Sequence, residues 1–311
     1  MTTVTTARGA RAVRVAAQAK VNLRLRVLAR ETSGYHQLET LFLRLSLADD
    51  VYVRVTGGER TLDIGGDFDA RQLGPTERNL AWRAAEAYVD ATGWPSGFAI
   101  QLDKHIPVGG GLGGGSADAG AVLRALDAIS STPIGEEALL AIAARLGADV
   151  PFLTTEHPFA LAWGRGERLL VLPAPPEREV LLLLPAFGVN TAHAYGWLAD
   201  AREIGTAPSM TAARFDPSSL SQWESLTTHA TNDFEAVIAA RHPQITALVD
   251  ALRAAGCAIA MMSGSGSTVF GVLPAEGALE MPRFAAGGST PAPHVLLTRT
   301  ATHVEPIVVT E

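Results

Sequence analysis

Cysteine is almost missing from this 311-residue chain: Cys257 stands alone, so no internal disulfide is possible. Lysine is nearly as scarce. Lys20 and Lys104 are the only two among 25 basic residues, the others being arginine. Where a compact ammonium is wanted a planar guanidinium does not fit, so both lysines become candidate site positions. Long apolar runs are also lacking. The longest, VLLLLPAFGV, is too short to span a bilayer and reads as a buried strand. Positive charge is in deficit, with a net charge of -7, which argues against a nucleic-acid or anionic-membrane binder held by bulk charge. A local positive site for a small anion is not excluded by that balance. His157, His193, His229 and His242 show no metal-ligand spacing such as H-E-x-x-H, and no metal site is expected among them. Nothing marks the chain as secreted. No acid precedes Glu31, and Arg8, Arg11 and Arg14 give the start a transit-peptide flavour. Strand-like alternation begins by Val13, so any leader is confined to about the first ten residues.

With 47% hydrophobic and 18% charged residues, the composition suits a globular chain with a sizeable core, in one large domain or two ordinary ones. Residues 10–30 read as one or two strands and Leu47 to Val55 as another, after a turn at Ser33-Gly34. Asn79 to Ala91 has the apolar spacing of an amphipathic helix. Gly97 to Leu102 is a strand, Ser116 the N-cap of a helix to about Ile129, and Glu136 to Leu146 another helix. Strands around GRGE, a buried strand from Glu179 to Leu184 and a helix from Thr191 to Ala201 follow. A softer stretch from Gly205 to Ser221 precedes helices near Asp233–Ala240 and Pro243–Ala255. AIAMMSGSGSTVFGVL gives strand, turn, strand, with Met261-Met262 in the core, and a last strand lies in HVLLTRT. Without regular βαβ alternation the class is α+β. The segment PAPP sets a boundary that divides the chain into domains 1–172 and 173–311.

The densest signal is PVGGGLGGGSADAG, Pro107 to Gly120. Between Gly109 and Gly115 only Leu112 is not glycine. The run joins a strand to a helix N-terminus, where bare backbone N–H groups and the helix dipole favour a phosphate. Other readings fit less well. The dinucleotide pattern G-x-G-x-x-G is matched by almost any glycine run and lacks its flanking βαβ unit. The lysine of the G-x-x-x-x-G-K-S/T loop is missing. Neither Ser116 nor Ser265 has the glycines of a nucleophile elbow. A flexible linker would not be bracketed by Pro107 and a strong helix.

This stretch resembles the central motif of the GHMP small-molecule kinases. AKVNL, GYHQLETLF, RNLAWRAA, DKHIPVGGGLGGGSADA, LGADVPF and MSGSGSTVFG, in this order, resemble the branch acting on 4-diphosphocytidyl-2-C-methyl-D-erythritol, from about Ala19 to Val272. The resemblance implies a two-domain α+β fold with its active site in the interdomain cleft. It implies ATP-dependent phosphorylation of that substrate's 2-hydroxyl in the non-mevalonate isoprenoid route, with Mg2+. The implied catalytic pair is Lys20 and Asp149. An aspartate can take or orient a hydroxyl proton, and an ammonium beside it stabilises the charge that develops. From the residues alone, a solvated strand lysine and a helix-end aspartate remain the alternatives.

By the same resemblance ATP lies on Pro107, Val108, Gly109, Gly110, Gly111, Leu112, Gly113, Gly114, Gly115, Ser116 and Ala117. Ser116 is placed to bond a phosphate oxygen or a magnesium-bound water. Asn79 and Lys104 lie toward adenine, with a plain N-cap and a surface ion pair to Asp103 as the alternatives. Asn22, Tyr35 and His36 are the implied substrate residues, the aromatic stacking on cytidine and the histidine bonding its edge. A second stacking aromatic is implied near LLLLPAFGVNT, where Phe187 is nearest and Asn190 the alternative match. The MSGSGST turn lines the cleft floor or is simply a hairpin turn. After Leu273 the likeness fades, where the family has a further helix. The implied partners are a small molecule carrying a cytidine diphosphate group, with no nucleic acid, no membrane and no obligate protein partner, in the cytoplasm.

Overall fold

Period-two alternation from Ala12 makes a 19-residue strand, β1 (Ala12–Arg30), antiparallel to β2 (His36–Thr56). The structure, a computed structural model, describes residues 7, 9–31, 36–66, 74–206, 216–275 and 291–311. The expected turn at Ser33-Gly34, Tyr35, most of the soft stretch after Gly205 and residues 276–290 lie outside them. The pairing shifts register between Gln18 and Lys20, and again between Asn22 and Arg24. Such bulges re-aim side chains. Lys20 and Asn22, two residues apart on one face, are both buried.

The chain continues through β3 (Arg60–Gly66), α1 (Leu80–Thr92), β4 (Gly97–Lys104), α2 (Gly114–Ile129), α3 (Glu136–Leu146), α4 (Val150–Thr154), β5 (Phe159–Gly164) and β6 (Arg168–Val171). β2 is longer than the expected Leu47–Val55 because it serves two partners. Residues 50–56 pair with β4 and residues 38–43 with β5. Next come β7 (Glu179–Leu184), α5 (Thr191–Glu203), α6 (Trp223–His229), β8 (Thr231–Asn232), α7 (Glu235–Ala239), α8 (Gln244–Ala254), β9 (Ile259–Met262), β10 (Val269–Val272), β11 (His294–Arg299) and β12 (Val308–Val309).

Two sheets result. The first runs β12-β1-β2-β4-β3, with β5 and β6 branching from β2 and β8 beside β1; the second is β11-β7-β10-β9. The class is α+β, as the mixed order of elements predicts. The PAPP segment lies between β6 and β7, where the second sheet begins, while β8 and β12 return to the first sheet. β7 reads as an unbroken apolar run because both its faces are covered. Val180 and Leu182 join the large core with α1–α4, and Leu181 and Leu183 join a smaller one with α5, α7 and α8. Among the described residues no helix is long and apolar enough to cross a membrane.

α2 is the central helix, buried on nearly all sides. Gly120 lets it meet α4 backbone to backbone: a Cβ there would sit 2.4 Å from the Leu153 carbonyl oxygen. Beneath its first turns three charges are buried together. Lys104 Nζ bonds Asp118 Oδ2 at 2.6 Å and also Asp49, whose other oxygen accepts from the His105 and Ile106 amides at 2.5 and 2.7 Å. Burial raises the Asp118 carboxyl to about 7, against the pull of Lys104 and with help from the Asp49 charge. Burial also works against the Lys104 charge, but Asp118 and Asp49 outweigh it and hold the ammonium above its ordinary value.

Two outcomes are expected. Gly120→Ala should destabilise the fold by about 1–3 kcal/mol through overpacking, read as a lower denaturant midpoint; an unchanged midpoint would show that α2 and α4 can part freely. A carboxyl protonated more readily in the folded chain than in the unfolded one stabilises the fold at low pH and loses that contribution as pH rises toward about 7. The stability advantage of the unaltered chain over Asp118→Asn should therefore be larger at about pH 5 than at about pH 8. A pH-independent difference in urea midpoints would exclude this.

Candidate active site

A cleft of about 580 Å³ opens between elements of both sheets. Lys20, Asn22, Asn79, Lys104, Asp149, Tyr195, Phe234 and the turn Gly264–Gly266 line it, and the glycine loop from Pro107 to Ser116 forms one wall. Helix α2 starts at Gly114, two residues before the expected cap at Ser116. Gly113, at φ 78°, supplies the turn into the helix, so Ser116 falls in the first turn. The first return bond runs from the Ala117 amide to the Gly113 carbonyl at 2.8 Å. The amides of residues 114–116 precede that bond and have no intrahelical partner, an arrangement that favours an anion at this end of the cleft. Ala117 itself turns into the core and leaves the cleft wall.

Opposite the helix end, Lys20 Nζ lies 3.2 Å from Asp149 Oδ2. The lysine side chain is 2% exposed and the aspartate 30%, so the carboxylate is the member open to a substrate. Asp149 heads α4 but makes no capping bond there, which leaves its side chain to Lys20. The ammonium is fixed from three sides. It also donates to Asn22 Oδ1 at 2.6 Å and to the Gly111 carbonyl at 3.1 Å. Asn22 Nδ2 in turn donates to Thr40 Oγ1 at 2.8 Å, and Thr40 donates to the Arg24 carbonyl at 2.7 Å. A buried lysine needs such a full set of acceptors.

The turn MSGSGST joins β9 to β10 and lies against the loop. Ser263 Oγ donates to the Gly111 carbonyl at 3.0 Å, and the Thr268 amide to the Gly110 carbonyl at 3.2 Å. It is both a hairpin turn and part of the cleft. Met261 and Met262 are in the core, as expected. Lys104 is not paired with Asp103. It points inward to Asp49 and Asp118 and still reaches the cleft wall. Asn79 does two things: its Oδ1 caps α1 by accepting from the Ala81 amide at 2.8 Å, and it lines the cleft.

At the far end, His36 stacks on Tyr195, ring centroids 4.5 Å apart and planes at 21°. His36 is thus joined to the cleft wall through Tyr195; its neighbour Tyr35 lies outside the described residues. Phe187 does not line the cleft. It stacks on His242 at 4.4 Å, while Asn190 caps α5 by accepting from the Ala192 and His193 amides. The cleft aromatic on this segment is Tyr195, which sequence reading passed over. Its signal was present: Asn190 as a cap fixes the helix phase, and Thr191 and Tyr195, four apart, share the face that meets the cleft. Burial and the Asp149 charge push the Tyr195 phenol up to about 12, so it stays a hydrogen-bonding hydroxyl. Thr40 and Phe234 on the wall were likewise not singled out.

Comparison with known proteins gives the family. Residues 79–157 match the GHMP kinases N terminal domain and residues 212–283 the GHMP kinases C terminal domain. A 4-diphosphocytidyl-2-C-methyl-D-erythritol kinase of Anaeromyxobacter dehalogenans (strain 2CP-C) is 41% identical over 293 residues, covering 91% of this chain and 89% of the relative. The crystal structure of a 4-(cytidine 5'-diphospho)-2C-methyl-D-erythritol kinase superposes with TM-score 0.60 at 35% identity, over 83% of this chain and 89% of that one. A homoserine kinase from Cytophaga hutchinsonii shares the fold, with TM-score 0.67 at 17% identity over 96% of this chain and 97% of its own. By fold and by sequence relationship across most of its length, the chain belongs to the 4-diphosphocytidyl-2-C-methyl-D-erythritol kinase family of the GHMP kinases.

Proposed function

We propose that this protein transfers the γ-phosphoryl group of ATP to the 2-hydroxyl of 4-diphosphocytidyl-2-C-methyl-D-erythritol, in the cytoplasm, as a step of the non-mevalonate route to isoprenoid precursors. The observation that carries the proposal is the Lys20–Asp149 pair at 3.2 Å, facing the open N-terminus of α2 across one cleft. Phosphoryl transfer needs little covalent help from a protein. It needs the hydroxyl and the phosphate held in line, and the moving charge stabilised.

The triphosphate lies along residues 107–116, its oxygens accepting from the loop and helix amides. Asp149 accepts the proton of the substrate hydroxyl as that oxygen bonds to the γ-phosphorus and the bond to ADP breaks. Lys20, held by Asn22 and the Gly111 carbonyl, keeps the carboxylate aimed and stabilises the oxygen as it gains charge. Among the described residues no group of three or more His, Cys, Asp or Glu gathers to hold a metal. That fits Mg2+ arriving on the nucleotide, which takes only one or two protein oxygens; Ser116 and Asp149 are hard oxygen donors of the right kind. When bound, the ion neutralises phosphate charge. The cytidine ring fits against the aromatic end, with Tyr195 as its stacking face and the Tyr35-His36 stretch beside it. A kinase for a small alcohol such as homoserine has no use for that aromatic end.

Purified protein with MgATP should release ADP with the cytidylyl substrate and not with homoserine or mevalonate. Asp149→Asn should lower turnover by about 10²–10⁴-fold or more while nucleotide binding persists. Near-normal turnover of that variant would remove Asp149 from the proton-accepting role, and turnover with another alcohol alone would replace the substrate.

A further inference from the structure

Beside the aromatic end of the cleft, but off its wall, one carboxylate is buried with two arginines. Asp233, its side chain 2% exposed, holds Arg26 Nε at 2.9 Å with one oxygen. Its other oxygen accepts from Arg202 Nη2 at 2.9 Å and from the Val27 amide at 3.0 Å. The same Arg202 nitrogen donates to the Val27 carbonyl at 2.7 Å, and the Asp233 amide donates to the Leu25 carbonyl at 2.9 Å. One residue thus grips β1 at three successive positions and α5 at its last turn.

These two elements carry the aromatic end. β1 pairs Arg30 with His36 at the start of β2, and α5 carries Tyr195. Tyr195 and Arg202 are seven residues apart, two helical turns on one face. Fixing Arg202 therefore fixes the azimuth of Tyr195. Phe234, next to Asp233, makes a T-shaped contact with the Tyr195 ring, centroids 4.9 Å apart. Asp233, Arg26 and Arg202 themselves make no bond to Lys20, Asp149 or the glycine loop and stay off the cleft wall. A buried charge is costly to keep, and a hydrophobic group of similar size would serve packing as well or better. What the ion group adds over such packing is direction.

We propose that Asp233, acting through Arg202, is a positioning residue that sets the spacing between His36 and Tyr195 and so the affinity for the nucleoside half of the alcohol substrate. The proposal rests on the substrate reading given above. Asp233→Ala would strand two guanidinium groups and collapse the region, so the test uses Arg202, whose side chain is 26% exposed. Arg202→Met should raise KM for the cytidylyl substrate by about tenfold, since small misplacements of positioning groups cost up to about a hundredfold. KM for ATP and kcat should stay within about twofold. Because a single nitrogen makes both Arg202 bonds, Arg202→Lys should restore most of the affinity.

A fall in kcat with KM unchanged, an equal rise in both KM values, or no change would each overturn the proposal, the first two marking a merely structural role. Absence of turnover by the unaltered protein with the cytidylyl substrate would overturn the functional reading and this proposal with it. Normal turnover by the unaltered protein, with KM for the cytidylyl substrate unchanged in Arg202→Met, would overturn only the positioning role.

Discussion

The carbonyl of Gly111 is where the site is held together. It accepts from Lys20 Nζ and from Ser263 Oγ, so one backbone oxygen ties the first strand, the glycine loop and the β9–β10 turn. The contact is possible only without a side chain. Gly111 sits at φ 78°, and a Cβ there would lie 2.4 Å from the Ser263 carbonyl oxygen. Gly113 is similar, with a Cβ that would meet the Lys20 side chain at 3.0 Å. The loop is thus rich in glycine for two reasons. One is the approach of phosphate to its outer side that the proposed function calls for. The other is the approach of protein to its inner side, which fixes the lysine that faces the chemistry.

That second reason explains which parts of the site could be read in the sequence. The glycine run and the helix after it were legible from local pattern, and the pairing of Lys20 with Asp149 only through the family resemblance that the order of motifs carries. The α+β class followed from the irregular order of elements. What stayed hidden was pairing between distant segments. The span of β2 could not be read from its own residues, since its length is set by two partners that arrive some fifty and over a hundred positions later. Lys104 looked like one half of a surface pair with Asp103, its neighbour in sequence. In a strand such neighbours point to opposite faces, and its true partners, Asp49 and Asp118, come from β2 and α2. Tyr195 was missed for the same reason. The aromatic was sought on the loop after β7, whereas the helix that follows returns a later residue to the cleft.

Arginine and lysine divide the labour in a way their counts only hinted at. Both lysines are buried, each against carboxylates at the cleft wall. Arginine takes the places where several acceptors must be met at once. Arg44, fully buried, donates to the carbonyls of Phe152, Thr155 and His157, and Arg202 bridges Asp233 and Val27. A planar fork suits the second task and a point charge the first.

The pairing of both lysines bears on how an acidic chain holds an anionic nucleotide. Lys20 is offset by Asp149, and Lys104 lies between two carboxylates, so neither brings unshared positive charge to the phosphates. A loop that relied on a lysine would need that charge free. Here the attraction must come from dipoles instead: the unpartnered amides at the start of α2 and the loop before it, with the exposed Arg78 on the rim adding a guanidinium. Dipoles are fixed by the fold and need no counter-ion when the site is empty. They act only at contact distance, which gives a bare main chain its value where the helix begins, and the densest glycine run of the cleft stands there.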